Sequence, residues 1–332
     1  MEQRVFGRTG LKFGILGFGC GAVGGLMVRG SDADQERAVA RALEVGVNYF
    51  DTAVAYGNGV SETNIGRVLK VLKPKESFIA TKVRVPSGDF GRIEAMVTES
   101  LNASLQRLGM AQVDIFHLHN PITVAGGGES LSVRQVLDEV VPAFQKLQKA
   151  GKTRFLGITA VGDTAALHQV IDAEVFDSAQ VSYNMLNQSA GAALPVGYPA
   201  QDYGRMFDHT QKAGVGVVGI RVLAAGALTG VAERHPIASP PPAPIGSANQ
   251  YGTDLERARR LMPLVTEGFC DSLAEAATRF SITHPAMGTI LVGMATPGEF
   301  EGALAAVQKG PLPQAALDRL DALTAGFVGE AR

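Results

Sequence analysis

Asp51 and Tyr56 stand five residues apart in FDTAVAYGNG, Lys82 ends FIATK, and His119 ends VDIFHLH. If they meet, these four side chains make a proton-transfer set. A tyrosine is a poor acid, with an ordinary pKa of about 10. An ammonium beside its oxygen favours phenolate and lowers that value by roughly 1–3 units. Asp51 could keep Lys82 charged and oriented, and His119 could hydrogen-bond a substrate oxygen. Such a set suits a reaction in which a carbonyl oxygen gains a proton as its carbon gains hydride, with the same tyrosine acting as base in reverse. Taken singly, each residue has an ordinary alternative: a turn aspartate, a solvated lysine, a packed histidine. The chemistry therefore depends on a fold that brings them together.

The chain supplies a candidate for that fold. Short apolar runs at residues 15–19, 47–50, 78–82, 113–118, 155–158, 178–182, 215–220 and 289–292 read as strands. Between and after them, amphipathic stretches at 33–45, 62–69, 93–107, 133–149, 164–172, 201–212, 272–281 and 297–307 read as helices. Strict alternation implies parallel strands joined by helical crossovers. Eight such units predict a closed (β/α)8 TIM barrel, with catalytic groups at the C-terminal strand ends. Those ends hold Cys20, Asp51, Lys82, His119, Thr159, Arg221 and Gly293, with Gln180 inside the sixth strand. Before the first barrel strand, RVF and LKFGI flank GRTG and predict an N-terminal β-hairpin, with Gly7 and Gly10 as turn residues. Ser31 and Asp32 offer caps for the first helix, and Gly46, Gly109, Gly151 and Gly214 follow helix ends. No linker divides the chain, so residues 1–332 read as a single domain. The long loops 120–132 and 231–252 fall on the catalytic face and are expected to shape a pocket.

Composition excludes several classes. The 332 residues carry a formal charge of −2, which argues against an electrostatic nucleic-acid binder. Two cysteines, Cys20 and Cys270, provide neither a disulfide scaffold nor a multi-cysteine zinc site. No uncharged apolar run is long enough to span a bilayer, and MEQRVFGRTG has no apolar signal-peptide core. The expectation is a soluble cytoplasmic protein without a membrane partner, either a monomer or a simple homo-oligomer.

Two other chemistries compete. Gly19-x-Gly21-x-x-Gly24 follows a strand like a dinucleotide-binding fingerprint, but GLMVRGS intervenes before the first helix cap, and eight repeated units exceed the usual half-sheet. His117-x-His119 could place two imidazoles on one face as ligands of a metal-dependent hydrolase. No further histidine ends a strand, so no metal is expected. A non-catalytic nicotinamide-binding regulatory subunit is the non-enzyme alternative.

At this point the motifs resemble a known family. FGRTGLKFGILGFGCG, FDTAVAYGNGVSETNIGRVL, FIATK, VDIFHLHNP, GKTRFLGIT, QVSYNML and VGIRVLAAGALTG resemble, in order, the aldo-keto reductases. The resemblance implies reversible NAD(P)(H)-dependent carbonyl reduction. It implies Tyr56 as acid/base, Lys82 and Asp51 as its tuners, and His119 as the group that orients the substrate oxygen. It further implies a dinucleotide site at Gly19, Cys20, Gly21, Asp51, Thr159, Gln180, Ile220, Arg221, Leu223, Gly293, Met294 and Glu299. The pattern departs from the family in places. Thr159-Ala160 replaces a Ser-Asn pair that holds the carboxamide. Ile220-Arg221 stands where a stacking tyrosine is common. LVGMATPGEFEGAL offers no arginine to a 2′-phosphate, and Ala303 replaces a common asparagine. Glu299 would repel that phosphate and could bind a free 2′-hydroxyl, which leans toward NAD. The LVGM and GIT segments are similar to the branch that oxidises aldoses at C1, so the substrate expected is a small carbonyl compound or a sugar. Loops 84–91, 120–132 and 231–252 would decide which.

Overall fold

The computed structural model describes residues 1–332. After a hairpin of β1 (Gln3–Val5) and β2 (Lys12–Gly14), eight parallel strands close into a barrel. They are β3 (Leu16–Gly19), β4 (Tyr49–Asp51), β5 (Phe78–Val83), β6 (Val113–Leu118), β7 (Thr153–Thr159), β8 (Ser178–Ser182), β9 (Gly216–Ile220) and β10 (Met287–Gly293). Neighbours in sequence are neighbours in the barrel, and β10 pairs with β3 to close it.

Side chains along a strand alternate between faces, and this sorts the residues into layers. Phe116 and Leu118 point out into the main apolar core under the helices. Phe78, Ala80 and Ile115 point inward and pack with Phe6, Leu11 and Phe13 from the hairpin region. Phe13 stacks on Tyr49 with ring centroids 4.7 Å apart. The hairpin is thus an apolar plug at the N-terminal end. On the same inward parity, one step further up, come Asp51, Lys82, His117 and Gln180, all buried. The alternation that fills the floor with rings lifts the ionisable groups toward the opposite mouth.

Some boundaries differ from the sequence reading. Strand β7, expected over 155–158, starts two residues early, at Thr153, because Val113 of β6 pairs with it. The helix expected at 201–212 begins at Met206, because Gly204 and Arg205 both take left-handed φ values, +57°, and cannot join a helical turn. GLMVRGS, read as preceding the first helix, contains a short helix of its own, Leu26–Arg29. Helices Tyr251–Arg259 and Gln314–Thr324 add to the expected eight. Gly46, Gly109, Gly151 and Gly214 are left-handed after helices, as expected, and the Ser31 side chain caps helix Asp32–Glu44.

One ion pair pins the helix that follows the Tyr56 loop. Glu62, in helix Val60–Leu72, is fully buried; it accepts from Thr81 Oγ1 of β5 at 2.5 Å and from Arg107 Nε at 2.6 Å. Truncating a partner of a buried pair strands the other charge. Arg107→Ala is therefore expected to cost on the order of 3 kcal/mol, read as a lower urea midpoint, while Glu62→Gln with Arg107→Ala together costs less than the sum of the singles.

Candidate active site

Lys82, itself fully buried, is the centre of a network at the C-terminal mouth that ends at half-buried Tyr56. Its ammonium donates to Asp51 Oδ1 at 2.6 Å, to the Thr52 carbonyl at 2.8 Å and to Tyr56 Oη at 3.0 Å. An ammonium has three protons, and all three are used. The Tyr56 oxygen is therefore an acceptor toward Lys82, and its own proton is left to point elsewhere. The second Asp51 oxygen accepts from Gln180 Nε2 at 2.5 Å and from Tyr49 Oη at 3.3 Å. Thr159 Oγ1 donates to Gln180 Oε1 at 3.2 Å. His119 closes the group from the next strand end, with its ring edge-on to Tyr56 and 6.0 Å between centroids.

Backbone clamps hold these groups in place. Ser61 Oγ donates to the Cys20 carbonyl at 2.8 Å and meets Thr52 Oγ1 at 2.8 Å, tying both ends of the Tyr56 loop to the end of β3. The Cys20 amide donates to the Asp51 carbonyl at 2.9 Å. A side chain at Gly21 would stand 3.9 Å from the Tyr56 ring, so this loop walls the tyrosine. Asn120 accepts from the Val85 amide and donates to its carbonyl, both at 2.8 Å, locking the end of β5 to that of β6. Sequence reasoning missed Ser61, Thr52 and Asn120. Only their places beside Asp51, Tyr56 and His119 in the motifs could have marked them.

The electrostatics correct one expectation. Burial pushes the Tyr56 phenol above its ordinary value; Lys82 pulls it down and Asp51 adds to the rise. The lysine has the sign expected of it, but desolvation of the phenolate is larger. Tyr56 is therefore a protonated donor at neutral pH rather than a ready phenolate. Burial works against the Lys82 ammonium, yet Asp51 and Tyr56 outweigh it and hold it above the usual lysine range. Burial, with Lys82 and then Arg84, holds His119 down at about 3. His119 is a neutral imidazole that can donate or accept a hydrogen bond but carries no charge.

His117 takes no part in the mouth. It is buried inside the barrel, in register with Lys82, and its Nε2 lies 3.0 Å from Ser178 Oγ rather than against Tyr56. A Cβ at Gly157 would lie 2.3 Å from its Cδ2, so the ring fills space that only glycine leaves. His117 and His119 thus serve different partners, and no cluster of three or more His, Cys, Asp or Glu residues has the arrangement of a metal site.

The known proteins agree with this architecture. The aldo/keto reductase family profile matches residues 15–325. The chain belongs to the aldo/keto reductase family. It is 31% identical to L-galactose dehydrogenase of Arabidopsis thaliana, over 92% of this chain and 88% of that protein. It is 28% identical to D-threo-aldose 1-dehydrogenase of a Pseudomonas species, over 56% of this chain and 62% of that one. The aldo-keto reductase AKR11C1 from Bacillus halodurans, in its holo form, superposes with a TM-score of 0.72 at 24% identity, covering 97% and 96% of the two chains. The fold is thus the family's barrel, and the protein is an NAD(P)-dependent oxidoreductase of carbonyl compounds. No helix is long and apolar enough to cross a membrane.

Residues fit for a dinucleotide line the mouth from β7 round to β3. Arg221 directly follows β9, is half-buried, and has no side-chain partner. Arg221, Ala224 and Ala225 all hold positive φ, at 62°, 46° and 59°, around Leu223. Such strained turns persist where surrounding structure enforces them and cluster at ligand sites. A free guanidinium on this turn suits a pyrophosphate. Gly19, Gly293 and Met294 lie at the paired ends of β3 and β10. Ile220 ends β9 on its inward face, half-buried. Thr159 and Gln180 are hydrogen-bonded into the Asp51 network. Glu299 serves the helix Pro297–Gln308, its Oε2 accepting from the Ala295 amide at 2.7 Å while remaining exposed. A cavity of about 470 Å³ lies at the opposite, N-terminal end near the hairpin. Its arginine, Arg4, is already bonded to the Met287 and Ile282 carbonyls, so it offers no chemistry.

Two outcomes follow for Lys82→Met. Removing the ammonium deletes the charge that lowers Tyr56 and leaves Asp51 buried without its counter-charge. Carbonyl reduction should fall roughly 10²–10⁴-fold in steady-state kcat. The residual activity should lose its alkaline limb to higher pH, which a pH–rate series would read.

Proposed function

We propose that the chain reversibly reduces small aldehydes and oxidises aldoses at C1, preferring NAD, with Tyr56 as acid/base and His119 as the hydrogen-bonding partner of the reacting oxygen. The observation that carries this is the Lys82 ammonium spending its three protons on Asp51, Thr52 and Tyr56. That geometry leaves the phenol proton free for an oxygen placed between Tyr56 and neutral His119. The dinucleotide, when bound, supplies or accepts the hydride. Arg221, the Leu223 turn, Gly19–Gly21 and the β10 end with Gly293 and Met294 would hold it. In reduction Tyr56 Oη gives its proton to the substrate oxygen. In oxidation Tyr56 must first be ionised to take the hydroxyl proton, and Lys82 stabilises that phenolate.

Aldoses as substrates are supported by the names of the two dehydrogenase relatives and by the polar mouth. The NAD preference is supported by the exposed Glu299 carboxylate and by the lack of an arginine in the segment 291–304.

Absorbance of the reduced nicotinamide tests these readings. Tyr56→Phe should lose at least about two orders of magnitude in turnover while its dinucleotide Kd, measured by calorimetry, stays close to wild type. Full activity in that variant removes Tyr56 from the chemistry. The pH dependence has a defined sign. A raised Tyr56 pKa keeps the acid protonated, so reductive kcat/KM should stay flat through neutrality and fall only above about pH 10. Oxidation should climb over the same alkaline range. His119 should add no step between pH 5 and 9, since it stays neutral there. Glu299→Gln keeps an acceptor for the Ala295 amide and removes the charge. It should narrow the ratio of NAD to NADP use without changing the melting temperature.

A further inference from the structure

Every arginine except three has its side chain in a hydrogen bond or ion pair, the exceptions being Arg84, Arg221 and the C-terminal Arg332. Two of these directly follow barrel strands at the catalytic mouth: Arg84 after β5 and Arg221 after β9. Strands β5 and β9 lie on opposite sides of the closed barrel. Arg221 stands on the side assigned above to the dinucleotide. Arg84 stands on the other side, because β5 lies between β4, which leads to Tyr56, and β6, which leads to His119.

The backbone around Arg84 is fixed although its side chain is free. The Val83 carbonyl accepts from the His119 amide at 2.7 Å, and Val85 is held at both its amide and its carbonyl by Asn120. Arg84 continues the inward parity of Phe78, Ala80 and Lys82, while Val83 and Val85 are buried outward in the main core. Its exposed guanidinium is therefore carried above Lys82 on the axial side of the rim. Its charge reaches the His119 ring, helping to keep it neutral. Within the same loop the Asp89 carboxylate turns to Arg92, at 3.8 Å, not to Arg84. A guanidinium without a protein partner, on a clamped backbone beside the oxygen-binding histidine, is a ready receptor for a planar anion.

We propose that Arg84 is a specificity-determining residue that takes the carboxylate of the carbonyl substrate, so that the preferred substrates are oxo acids or uronic-type aldoses rather than neutral sugars. This rests on the assignment of the reacting oxygen to Tyr56 and His119. It adds no chemical step. The carboxylate binds Arg84 while the carbonyl or C1 hydroxyl faces the tyrosine.

The test uses matched pairs: 4-oxobutanoate against butanal in reduction, and D-galacturonate against D-galactose in oxidation, each with wild type, Arg84→Met and Arg84→Lys. Wild type should favour the acid of at least one pair in kcat/KM, and a preference confined to one pair tells oxo acids from sugar acids. Arg84→Met should reduce that preference by roughly 10- to 100-fold, the range for a hydrogen bond to a charged group. The loss should lie mainly in KM, and Arg84→Lys should recover part of it because the charge is kept and the fork is not. Raising the salt concentration should weaken the wild-type preference. An acid-to-neutral ratio that is the same in wild type and Arg84→Met overturns the proposal while leaving the oxidoreductase reading intact. If no compound of either pair is turned over, the substrate reading of the site fails instead. Calorimetric binding of 4-oxobutanoate to wild type and Arg84→Met then decides the role of Arg84 alone: weaker binding to the variant supports it, and equal binding overturns it.

Discussion

The structure of the mouth depends on one ammonium group having no proton to spare. Lys82 is enclosed by a carboxylate, a carbonyl and a phenol oxygen. Its charge survives burial because Asp51, 2.6 Å away, and then Tyr56 outweigh the desolvation, and Asp51 in turn is held by Gln180 and Tyr49. Breaking a buried pair leaves an uncompensated charge, so this arrangement is kept or lost as a unit. Its product is directional. With Lys82 donating to Tyr56, the phenol hydrogen must leave on the other side of the oxygen, toward the cleft.

The barrel makes that arrangement possible by stacking layers. The floor is apolar and closed by Phe6, Leu11 and Phe13. Above it the inward positions turn polar, and every one of the groups there finds a partner save Nδ1 of His117. Water is thereby excluded beneath the catalytic groups, which strengthens each electrostatic contact. The same exclusion raises the Tyr56 pKa. Burial and the neighbouring cation oppose each other at that oxygen, and burial is the larger. The cation is not there to produce a resting phenolate. In the proposed reaction it lowers the cost of forming one during turnover.

Much of this was legible in the sequence, for identifiable reasons. Asp51, Lys82 and His119 end apolar runs, and strand ends in a (β/α)8 barrel share one rim. Tyr56 could be placed because it stands five residues past Asp51, in a motif that carries the family resemblance. The long-range partners were not legible. Gln180 comes from a strand on the other side of the barrel from Asp51, and nothing in QVSYNML points to it. Its amide reaches Asp51 at 2.5 Å and supports the carboxylate, a contact that the sequence reading did not include. Helix Gln314–Thr324 carries apolar residues at helical spacing but lies outside the repeat, and an eight-unit template passes over it. The late start of the helix at Met206 depends on the left-handed Arg205, a conformation that residue type does not announce.

The free arginines illustrate a different kind of information. A sequence shows where positive charges are, but not which remain unpaired after folding. In this chain nearly all surface guanidiniums are consumed by carboxylates or carbonyl groups. Arg319 takes Glu267, Arg260 takes Glu330 and the Gly326 carbonyl, and even buried Arg257 finds Glu330 and the Ala331 carbonyl. Against that background, a rim position left unpaired on each side of the mouth is a strong asymmetry. An unpaired charge costs little while it faces water, and it becomes a specificity element once a ligand displaces that water and supplies the missing anion. The barrel thus separates two tasks. On the proposed reading, its buried layer fixes the proton donor, and its rim, with a backbone clamped by Asn120 and a side chain left free, selects what is presented to that donor.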